Sequence, residues 1–220
     1  HAESLVREKY IIAWLSQVQK DASDVFLLGD LFDFWFEYTQ VVPKGFVRFF
    51  GKLAEMNDEG IRIHIFVGNH DLWIRTYLKD EIGAIIYDQP TEFNFNIQGK
   101  SVKALLGHGD GLGPGDYGYK FLKQIFIHPV SIFLFKILHP DFGVRLAHIW
   151  SNTRKSDTIS AGDVPFDPNT DFILNYVMEQ VQIDSKSNAR KKAYVFGHRH
   201  HPIAFPLGEE STYYNLGDWF

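Results

Sequence analysis

The sequence predicts an α/β protein built on parallel strands, and two observations lead to that prediction. Four short apolar segments each end at a glycine that is followed at once by polar residues, which is typical of a buried strand opening into a loop. A helical pattern lies between the first two segments and gives the order strand, helix, strand. Because the carboxyl ends of strands in such folds share a crevice, we expect the polar residues to meet there.

The four strand segments share an apolar centre and a glycine at the carboxyl end. In chain order they are Val25–Leu28 before Gly29-Asp30, Ile63–Val67 before Gly68-Asn69-His70-Asp71, Val102–Leu106 before Gly107-His108-Gly109-Asp110, and Tyr194–Phe196 before Gly197-His198-Arg199-His200. Glycine lets the backbone turn sharply and come close to a bound ion or phosphate. The pattern therefore predicts four loops that each place polar side chains directly after a glycine at the end of a strand.

Apolar residues at helical spacing predict the helices. These segments are Glu3–Gln19, Phe46–Met56 with Gly60 as its stop, Leu72–Lys79 and Phe172–Val181. Two further segments, Ser156–Asn169 and Asp184–Lys192, are rich in turn-forming or polar residues and are expected to be loops.

The composition limits the class of protein. The chain has 220 residues, of which 45% are apolar and 22% charged, so residues 1–220 are expected to form one globular domain. Its net charge of −5 argues against a nucleic-acid partner. The most apolar stretch, Ile125–Leu138, is interrupted by polar residues and is shorter than the ~20 residues of a membrane-spanning helix. The chain has no cysteine, so a metal would be bound by oxygen and imidazole.

Residues that suit a divalent metal follow the glycines of the four strands. They are Asp30, Asn69, His108, His198 and His200. Taken singly, an Asp after Gly is more often a turn or cap residue, and a His more often packs in a core. Together, a carboxylate, an amide oxygen and imidazoles at equivalent strand ends predict a metal site. The histidines expected to be surface or internally bonded residues are His64, His128, His139, His148 and His201.

These motifs resemble the signature of the calcineurin-like metallophosphoesterases. Four of its five blocks occur in order, as Gly29-Asp30-Leu31-Phe32-Asp33, Gly68-Asn69-His70-Asp71, Gly107-His108 and Gly197-His198-Arg199-His200. The resemblance implies a four-layer α/β/β/α metallophosphoesterase sandwich with a helical insert. It also implies a dinuclear metal-dependent phosphohydrolase, in which water attacks phosphorus at a two-metal site.

For the metals, the resemblance implies two divalent ions, with Mn²⁺ as the expected species, although Fe, Co²⁺ and Zn²⁺ suit the same ligands. Asp30 would bridge the two ions. Asn69, His108 and His198 would complete one site, and His200 would contribute to the other.

For catalysis, the resemblance places His70 beside the metals, where it would donate to a phosphoryl oxygen or to the leaving group. Asp71 would act next to it or would instead cap or orient the loop. Asp33 would hold a ligand or the loop after Asp30.

The family's fifth block, Asp-x-His, does not occur in the 220 residues. In the family this block lies on a strand ahead of the first helix. Because a parallel sheet that begins with its helix would leave that helix packed against nothing, we expect the block to precede His1 in the natural protein. The alternative is that half of one metal site has been lost.

A closer resemblance, to the UDP-2,3-diacylglucosamine hydrolases of lipid A synthesis, rests on three segments. They are Phe32-Asp33-Phe34-Trp35, His108-Gly109-Asp110 leading into Gly115-Asp116-Tyr117-Gly118-Tyr119, and Asn215-Leu216-Gly217-Asp218-Trp219. These enzymes split a diphosphate to give UMP and a lipid sugar phosphate, and they carry a helical insert at the position of residues 117–155. The substrate contacts expected from the resemblance are Asp116, Tyr119, Arg154 and Lys155.

Two alternatives to this function stay open at the level of the sequence. Well-known members have Arg where this chain has His70, which would suit a phosphodiesterase or phosphatase acting on another nucleotide or small phosphoester. The absent Asp-x-His block would suit a protein-binding scaffold without productive metals. Asp-x-His upstream of His1 would remove the scaffold alternative.

The insert, residues 117–155, differs from the rest of the chain in charge. It carries +5 and eight aromatic residues, whereas the remaining residues carry −10. Cationic and aromatic residues together are typical of an element that lies on anionic lipid. We therefore expect the insert to bind acyl chains and to hold the protein peripherally on the cytoplasmic face of the membrane, with no obligate protein partner. About half of its apolar residues are expected to form an ordinary satellite core.

Overall fold

The computed structural model describes residues 2–115, 117–146, 166–187 and 192–218. Its helices are α1 (Ala2–Val18), α2 (Val47–Asp58), α3 (Tyr77–Ile82), α4 (Tyr117–Ile127), α5 (Pro129–Ile137) and α6 (Phe172–Ser187). Its strands are β1 (Asp24–Leu27), β2 (Arg62–Phe66), β3 (Ile85–Tyr87), β4 (Thr91–Ile97), β5 (Lys100–Gly107), β6 (Ala193–Phe196), β7 (Pro202–Pro206) and β8 (Thr212–Leu216). Residues 140–146 are also helical.

The strands form two sheets. The first has the order β1-β2-β3 and is entirely parallel. The second has the order β4-β5-β6-β8-β7, with parallel pairing from β5 through β6 to β8 and antiparallel strands at both edges. The four strands predicted to precede the glycine loops, β1, β2, β5 and β6, are thus parallel neighbours within their sheets.

Side-chain alternation shows that the two sheets face each other. In β1, Val25 and Leu27 lie in the core formed with α1, α2 and α3, whereas Phe26 belongs to the core between the sheets. In β6, Tyr194 packs in the core under α6, and Val195 faces the first sheet. Because residues alternate between the two faces of a strand, each sheet is covered on both sides. The four-layer α/β/β/α prediction is confirmed.

Helix α1, the first element of the described residues, packs on the first sheet. Leu15 is fully buried in the same core as Val25 and Leu53, and Ile11 and Val18 pack against that core. The expectation that this helix would have nothing to pack against is therefore wrong, because α2 and β1 provide the surface. The position of an Asp-x-His block ahead of His1 stays a prediction.

The helix predicted over Leu72–Lys79 is wrong in its first half, since α3 begins only at Tyr77. Trp73 instead forms an isolated parallel bridge with Phe36. The buried Glu37 carboxylate accepts hydrogen bonds from the amides of residues 75–77 at 2.8, 2.9 and 3.2 Å. A carboxylate that binds these amides compensates for the missing helical turn.

The loop predicted over Asp184–Lys192 is also wrong in its first part, because α6 continues to Ser187. Asp184 is buried and accepts a hydrogen bond from the Tyr194 hydroxyl at 2.6 Å, which gives the end of the helix a tertiary contact. Residues 188–191 lie outside the described residues, as does most of the loop predicted over Ser156–Asn169. Its described end, residues 168–170, is a turn.

Candidate metal centre

Four of the predicted ligand residues converge where the carboxyl ends of β1, β2, β5 and β6 meet. Asn69 Oδ1 lies 3.2 Å from His108 Nε2 and 2.8 Å from His198 Nδ1. His108 Nε2 lies 3.3 Å from His198 Nδ1 and 3.2 Å from Asp30 Oδ2. The carboxylate and the two imidazoles each offer a ligand atom, and these atoms all lie within 4.8 Å of one another. The two sheets thus deliver their ligands to a single point.

Two glycines allow this close approach. A Cβ atom on Gly29, where φ is +86°, would lie 2.5 Å from His108 Nδ1. A Cβ atom on Gly68 would overlap the carboxylate and the amide of Asp30. With both positions open, His108 Nδ1 donates to the Leu28 carbonyl at 2.7 Å. This hydrogen bond fixes the imidazole with Nε2 towards the other ligands, as is usual for metal-binding histidines.

Two of the ligand residues have a left-handed backbone. The φ angle is +52° at Asp30 and +68° at His198, a region that non-glycine residues rarely adopt. The amide of His70 donates to Asp30 Oδ1 at 2.9 Å, and the amide of Gly197 donates to the His108 carbonyl at 2.9 Å. Strained backbone held by hydrogen bonds is a feature of functional sites.

Asp30 and His108 set the charges of the cluster. Burial acts against protonation of His108, but the Asp30 carboxylate outweighs it and raises the pKa of His108 to about 9. Burial likewise acts to raise the pKa of Asp30, but the charge of His108 holds that pKa well below its ordinary value. Burial, assisted by the charge of His108, lowers the pKa of His198 to about 4. His198 is therefore neutral and Asp30 is ionised, and a bound cation would take the place of the proton on His108.

Asp71 joins the loop after β1 to the loop after β2. Its side chain is 0% exposed, with Oδ1 accepting from the Gly68 amide at 2.6 Å and Oδ2 from the Leu31 amide at 2.8 Å. Burial and the nearby charge of Asp30 raise the pKa of Asp71 to about 7. A carboxylate so enclosed orients the ligand loops, so this geometry favours the loop-orienting alternative over direct catalysis.

His70 is half-buried next to the cluster. Its Nδ1 atom lies 3.2 Å from the backbone carbonyl of Asp33, which can only accept a hydrogen bond. The proton of the neutral ring is then on Nδ1. Asp33 itself is exposed and makes this contact through its backbone.

The other predicted site residues do not join the group of ligand atoms in the described part of the structure. His200 is exposed and is outside the ligand group formed by the other two histidines and Asp30. The Tyr119 hydroxyl donates to Asp110 Oδ2 at 2.5 Å, so this phenol contacts the loop after β5. Three of the predicted site residues lie outside the described part of the chain: Asp116, Arg154 and Lys155.

Four buried charged residues were not predicted. Asp110 accepts from Lys123 at 2.7 Å and so joins the loop after β5 to α4. Glu37 binds the amides ahead of α3, and Arg199 forms a buried ion pair with Asp171 at 2.7 Å. Asp110 and Arg199 are close in sequence to the predicted ligands His108 and His198, and this proximity could have marked them as residues of the site. Nothing in the sequence near Glu37 or Asp171 indicates their roles, because their partners are distant in sequence.

The residues present fit a divalent metal. An amide oxygen and two ring nitrogens face one another within 3.3 Å, with an ionised carboxylate beside them. Oxygen and imidazole donors in this proportion suit metals of intermediate hardness such as Mn²⁺, Fe, Co²⁺ and Zn²⁺. A cation among these atoms would take the place of the protons that otherwise link these groups.

Comparison with known proteins shows the family. The family model for calcineurin-like phosphoesterases matches residues 7–202. A UDP-2,3-diacylglucosamine hydrolase of Porphyromonas gingivalis is 34% identical, over 100% of this chain and 85% of that protein. Proteins of the same name from Ectopseudomonas mendocina and Pseudomonas syringae pv. tomato are 26% and 28% identical, over 94% of this chain and 81% and 79% of those proteins. With the family's motifs brought together around one group of metal-binding side chains, this chain belongs to the calcineurin-like phosphoesterases.

Proposed function

We propose that this protein hydrolyses the diphosphate of UDP-2,3-diacylglucosamine to UMP and a lipid sugar phosphate. The observation that carries the proposal is the 34% identity, over the whole chain, to the Porphyromonas gingivalis protein named for this substrate. The cluster at the strand ends supports it, because carboxylate and imidazole sites of this kind hold the metals used in phosphoester hydrolysis.

The proposal includes two divalent metal ions, Mn²⁺ in the first instance. Bound metals would supply Lewis acidity that stabilises negative charge on the phosphoryl oxygens. Asp30, Asn69, His108 and His198 would hold one ion, with the Asp30 carboxylate shared with the second. His200 would belong to the second ion.

The other residues of the site act on the substrate or on the ligands. His70 Nδ1 is bonded to the Asp33 carbonyl, so Nε2 is the ring atom for a phosphoryl oxygen or the leaving group. The His70 amide orients the Asp30 carboxylate. Asp71 keeps the two ligand loops in register through the Gly68 and Leu31 amides.

The insert would bind the acyl chains. Its described helices α4 and α5 expose a set of large apolar side chains, which we call the outer face. The outer face consists of Tyr117, Phe121, Val130, Phe133, Leu134 and Ile137. Large apolar side chains concentrated on one exposed element are typical of lipid or protein contact. A diacylated substrate offers a matching apolar surface.

The inner side of the insert is anchored on the protein body. Phe135 stacks on Trp73 with ring centroids 5.8 Å apart and lies 4.6 Å from Phe36. The Trp73 indole also donates to the Phe126 carbonyl at 3.0 Å. Trp73 follows the ligand Asn69 by four residues, so the insert sits next to the loop after β2. Phe126 and Phe135 thus contact the protein body, and we propose that the outer face binds the lipid.

Part of the charge of the insert is directed inward. Lys123 is paired with Asp110, and Lys120 donates to the Gly113 carbonyl. Contact with an anionic membrane surface, which we also propose, therefore depends more on the outer face than on the full charge of the insert. No helix among the described residues is long and apolar enough to cross a membrane. The proposed contact is peripheral, on the cytoplasmic face, and reversible by salt.

The activity is tested by assaying the full-length natural protein, supplied with Mn²⁺, on UDP-2,3-diacylglucosamine and on bis(p-nitrophenyl) phosphate in parallel. We expect release of UMP, abolished by EDTA, with kcat/KM far above that for the simple diester. Hydrolysis of the diester without release of UMP from UDP-2,3-diacylglucosamine would favour a phosphoesterase that acts on another substrate. Mn²⁺ binding without hydrolysis of either compound would contradict an enzymatic role.

The role of the outer face is tested by a charged substitution. Phe133→Glu should lower turnover of the diacylated substrate at least about tenfold while hydrolysis of the simple diester is unchanged, because only the lipid needs this surface. Ile183→Glu is the matched control, since Ile183 on α6 is similarly exposed, at 57% against 62% for Phe133. Equal effects of the two variants on the lipid substrate would refute lipid binding by the outer face.

A further inference from the structure

A buried ion pair lies beside the ligand loop after β6. Arg199 Nη2 is 2.7 Å from Asp171 Oδ2, and the two side chains are 7% and 0% exposed. Arg199 directly follows His198, and Asp171 directly precedes α6. Burying two charges is costly even when they are paired, so such a pair contributes little net stability relative to apolar residues. A role in the site is a stronger reason for its presence.

The pair connects α6 to the imidazole of His198. Asp171 Oδ1 accepts from the Leu174 amide at 2.8 Å and so caps the first turn of α6. The Arg199 guanidinium lies 5.1 Å from the centre of the Phe172 ring. Phe172 in turn meets the His198 ring at an angle of 67°, with centroids 5.8 Å apart. Phe172 therefore packs beside the His198 ring, and the ion pair fixes the position of Phe172.

The backbone of this loop needs such support. His198 has a φ angle of +68°, and the Arg199 amide donates to the Gly197 carbonyl at 2.8 Å, which closes a tight turn around the ligand residue. A non-glycine residue with a left-handed backbone is strained and persists only where its surroundings hold it. Arg199 is the residue after His198, and its side chain is fixed against the start of α6. The Arg199 side chain therefore holds the turn at His198 in place.

The charge of Arg199 also makes Asp171 necessary. A guanidinium one residue from a metal ligand would repel a divalent cation in a partly desolvated site. The Asp171 carboxylate neutralises it at 2.7 Å. The pair therefore provides a rigid link to His198 without adding net positive charge near the metal.

We propose that Asp171 and Arg199 are positioning residues for the metal centre: Arg199 holds His198 in its binding geometry, and Asp171 fixes Arg199 and cancels its charge. The inference goes beyond the proposed reaction, because it concerns metal binding by this chain and not the identity of the substrate.

The test measures Mn²⁺ binding to the EDTA-treated full-length protein by calorimetry, together with the unfolding temperature of the metal-free form. Arg199→Met, which keeps volume and removes charge, should weaken Mn²⁺ binding about tenfold to a hundredfold, the range found for groups that orient metal ligands. Asp171→Asn should weaken it further, because the guanidinium is then uncompensated. The double variant should bind Mn²⁺ better than Asp171→Asn alone.

Tyr194→Phe is the matched control. It removes the buried 2.6 Å hydrogen bond between Tyr194 and Asp184, which joins the same helix to β6 away from the ligands. We expect a lower unfolding temperature with Mn²⁺ affinity unchanged. Should Arg199→Met not fold, Arg199→Lys keeps the charge but loses the planar guanidinium that lies 5.1 Å from the Phe172 ring centre, and it should weaken Mn²⁺ binding about tenfold.

Wild-type Mn²⁺ affinity in a folded Arg199 variant would overturn the proposal, as would equal weakening by Tyr194→Phe. Because the readout is metal affinity, it is independent of whether UDP-2,3-diacylglucosamine is the substrate. A protein that binds Mn²⁺ as described and fails to release UMP would contradict the proposed function and leave this inference standing.

Discussion

The candidate metal centre and the insert are neighbours, and they are built in opposite ways. In the metal centre, backbone hydrogen bonds fix the side chains of Asp30 and His108, and His108 is 4% exposed. In the insert, α4 and α5 have no buried residue, and the contact with the protein body is carried chiefly by aromatic rings around Trp73. One region partly encloses a few polar atoms, and the other exposes apolar side chains to solvent.

This difference follows from what each region has to bind. A metal ligand must be placed within a few tenths of an ångström, which requires rigid strands and satisfied hydrogen bonds. Acyl chains vary in conformation and make non-directional contacts, so a loosely packed apolar surface suits them. Substitutions should therefore affect metal-dependent chemistry in one region and lipid selectivity or local stability in the other.

The largest effect is expected within the metal centre. Asp30→Ala should lower kcat/KM by about a thousandfold or more at any Mn²⁺ concentration, because the ionised carboxylate of the cluster is lost. Asn69→Ala removes a neutral donor, and we expect a loss of about tenfold to a hundredfold that excess Mn²⁺ partly restores. Steady-state rates over a Mn²⁺ series, with circular dichroism to establish folding, distinguish the two. Full activity of Asp30→Ala in excess Mn²⁺ would show that Asp30 is not an essential ligand.

A smaller effect should separate the two sides of α5. Phe135→Ala removes the ring that packs on Trp73 and Phe36, and should cost about 2 kcal/mol of unfolding free energy. Phe133→Ala, two residues earlier and 62% exposed, should change it by less than about 0.5 kcal/mol. Urea denaturation measures both. Similar costs at the two positions would contradict the division into an inner side and an outer face.

The smallest effect is expected at the opposite, amino-terminal end of β1, where the ion pair of Asp24 with Arg62 contributes to stability without touching the metal centre. Hydrogen bonds from Arg62 and then His64, with burial acting in opposition, hold the pKa of Asp24 well below its ordinary 3.8. The folded state therefore keeps this carboxylate ionised at a pH where the unfolded chain binds a proton.

Asp24→Asn should cost about 1 kcal/mol between pH 5 and 8, since Arg62 is largely exposed and the pair is screened. Because the pKa is depressed in the folded state, the advantage of the wild type should shrink as the pH falls below 3.8. Urea denaturation at pH 7, 5, 4 and 3 checks the trend, and Mn²⁺ affinity at pH 7 serves as the control. A difference that grows on acidification, or a change in Mn²⁺ affinity, would contradict this account.

The strand ends were predictable because their signal is local. An apolar run, a glycine and a polar residue occur within about seven consecutive positions, and each of the four runs forms a strand in the structure. The convergence of Asp30, Asn69, His108 and His198 then follows from the parallel pairing within each sheet and from the two sheets facing each other.

The start of α3 was not predictable from local pattern. Leu72–Thr76 has acceptable helical spacing, but Trp73 is needed as a bridge to Phe36 and as the platform for Phe135. Glu37 binds the free amides from 38 to 40 residues away, so nothing near them in sequence indicates that the turn can be replaced. Tertiary contacts of this kind override helix propensity.

The sequence by itself determined the kind of chemistry at the strand ends, because residue types and their distance from a glycine are one-dimensional properties. It also determined that the insert is apolar and cationic. Only the tertiary structure decided which insert residues face outward, since Phe133 and Phe135 differ in sequence only by position on a helix whose partner, Trp73, comes from a distant loop. The same holds for Asp171 and Arg199, 28 residues apart, whose pairing beside His198 exists because α6 packs against β6.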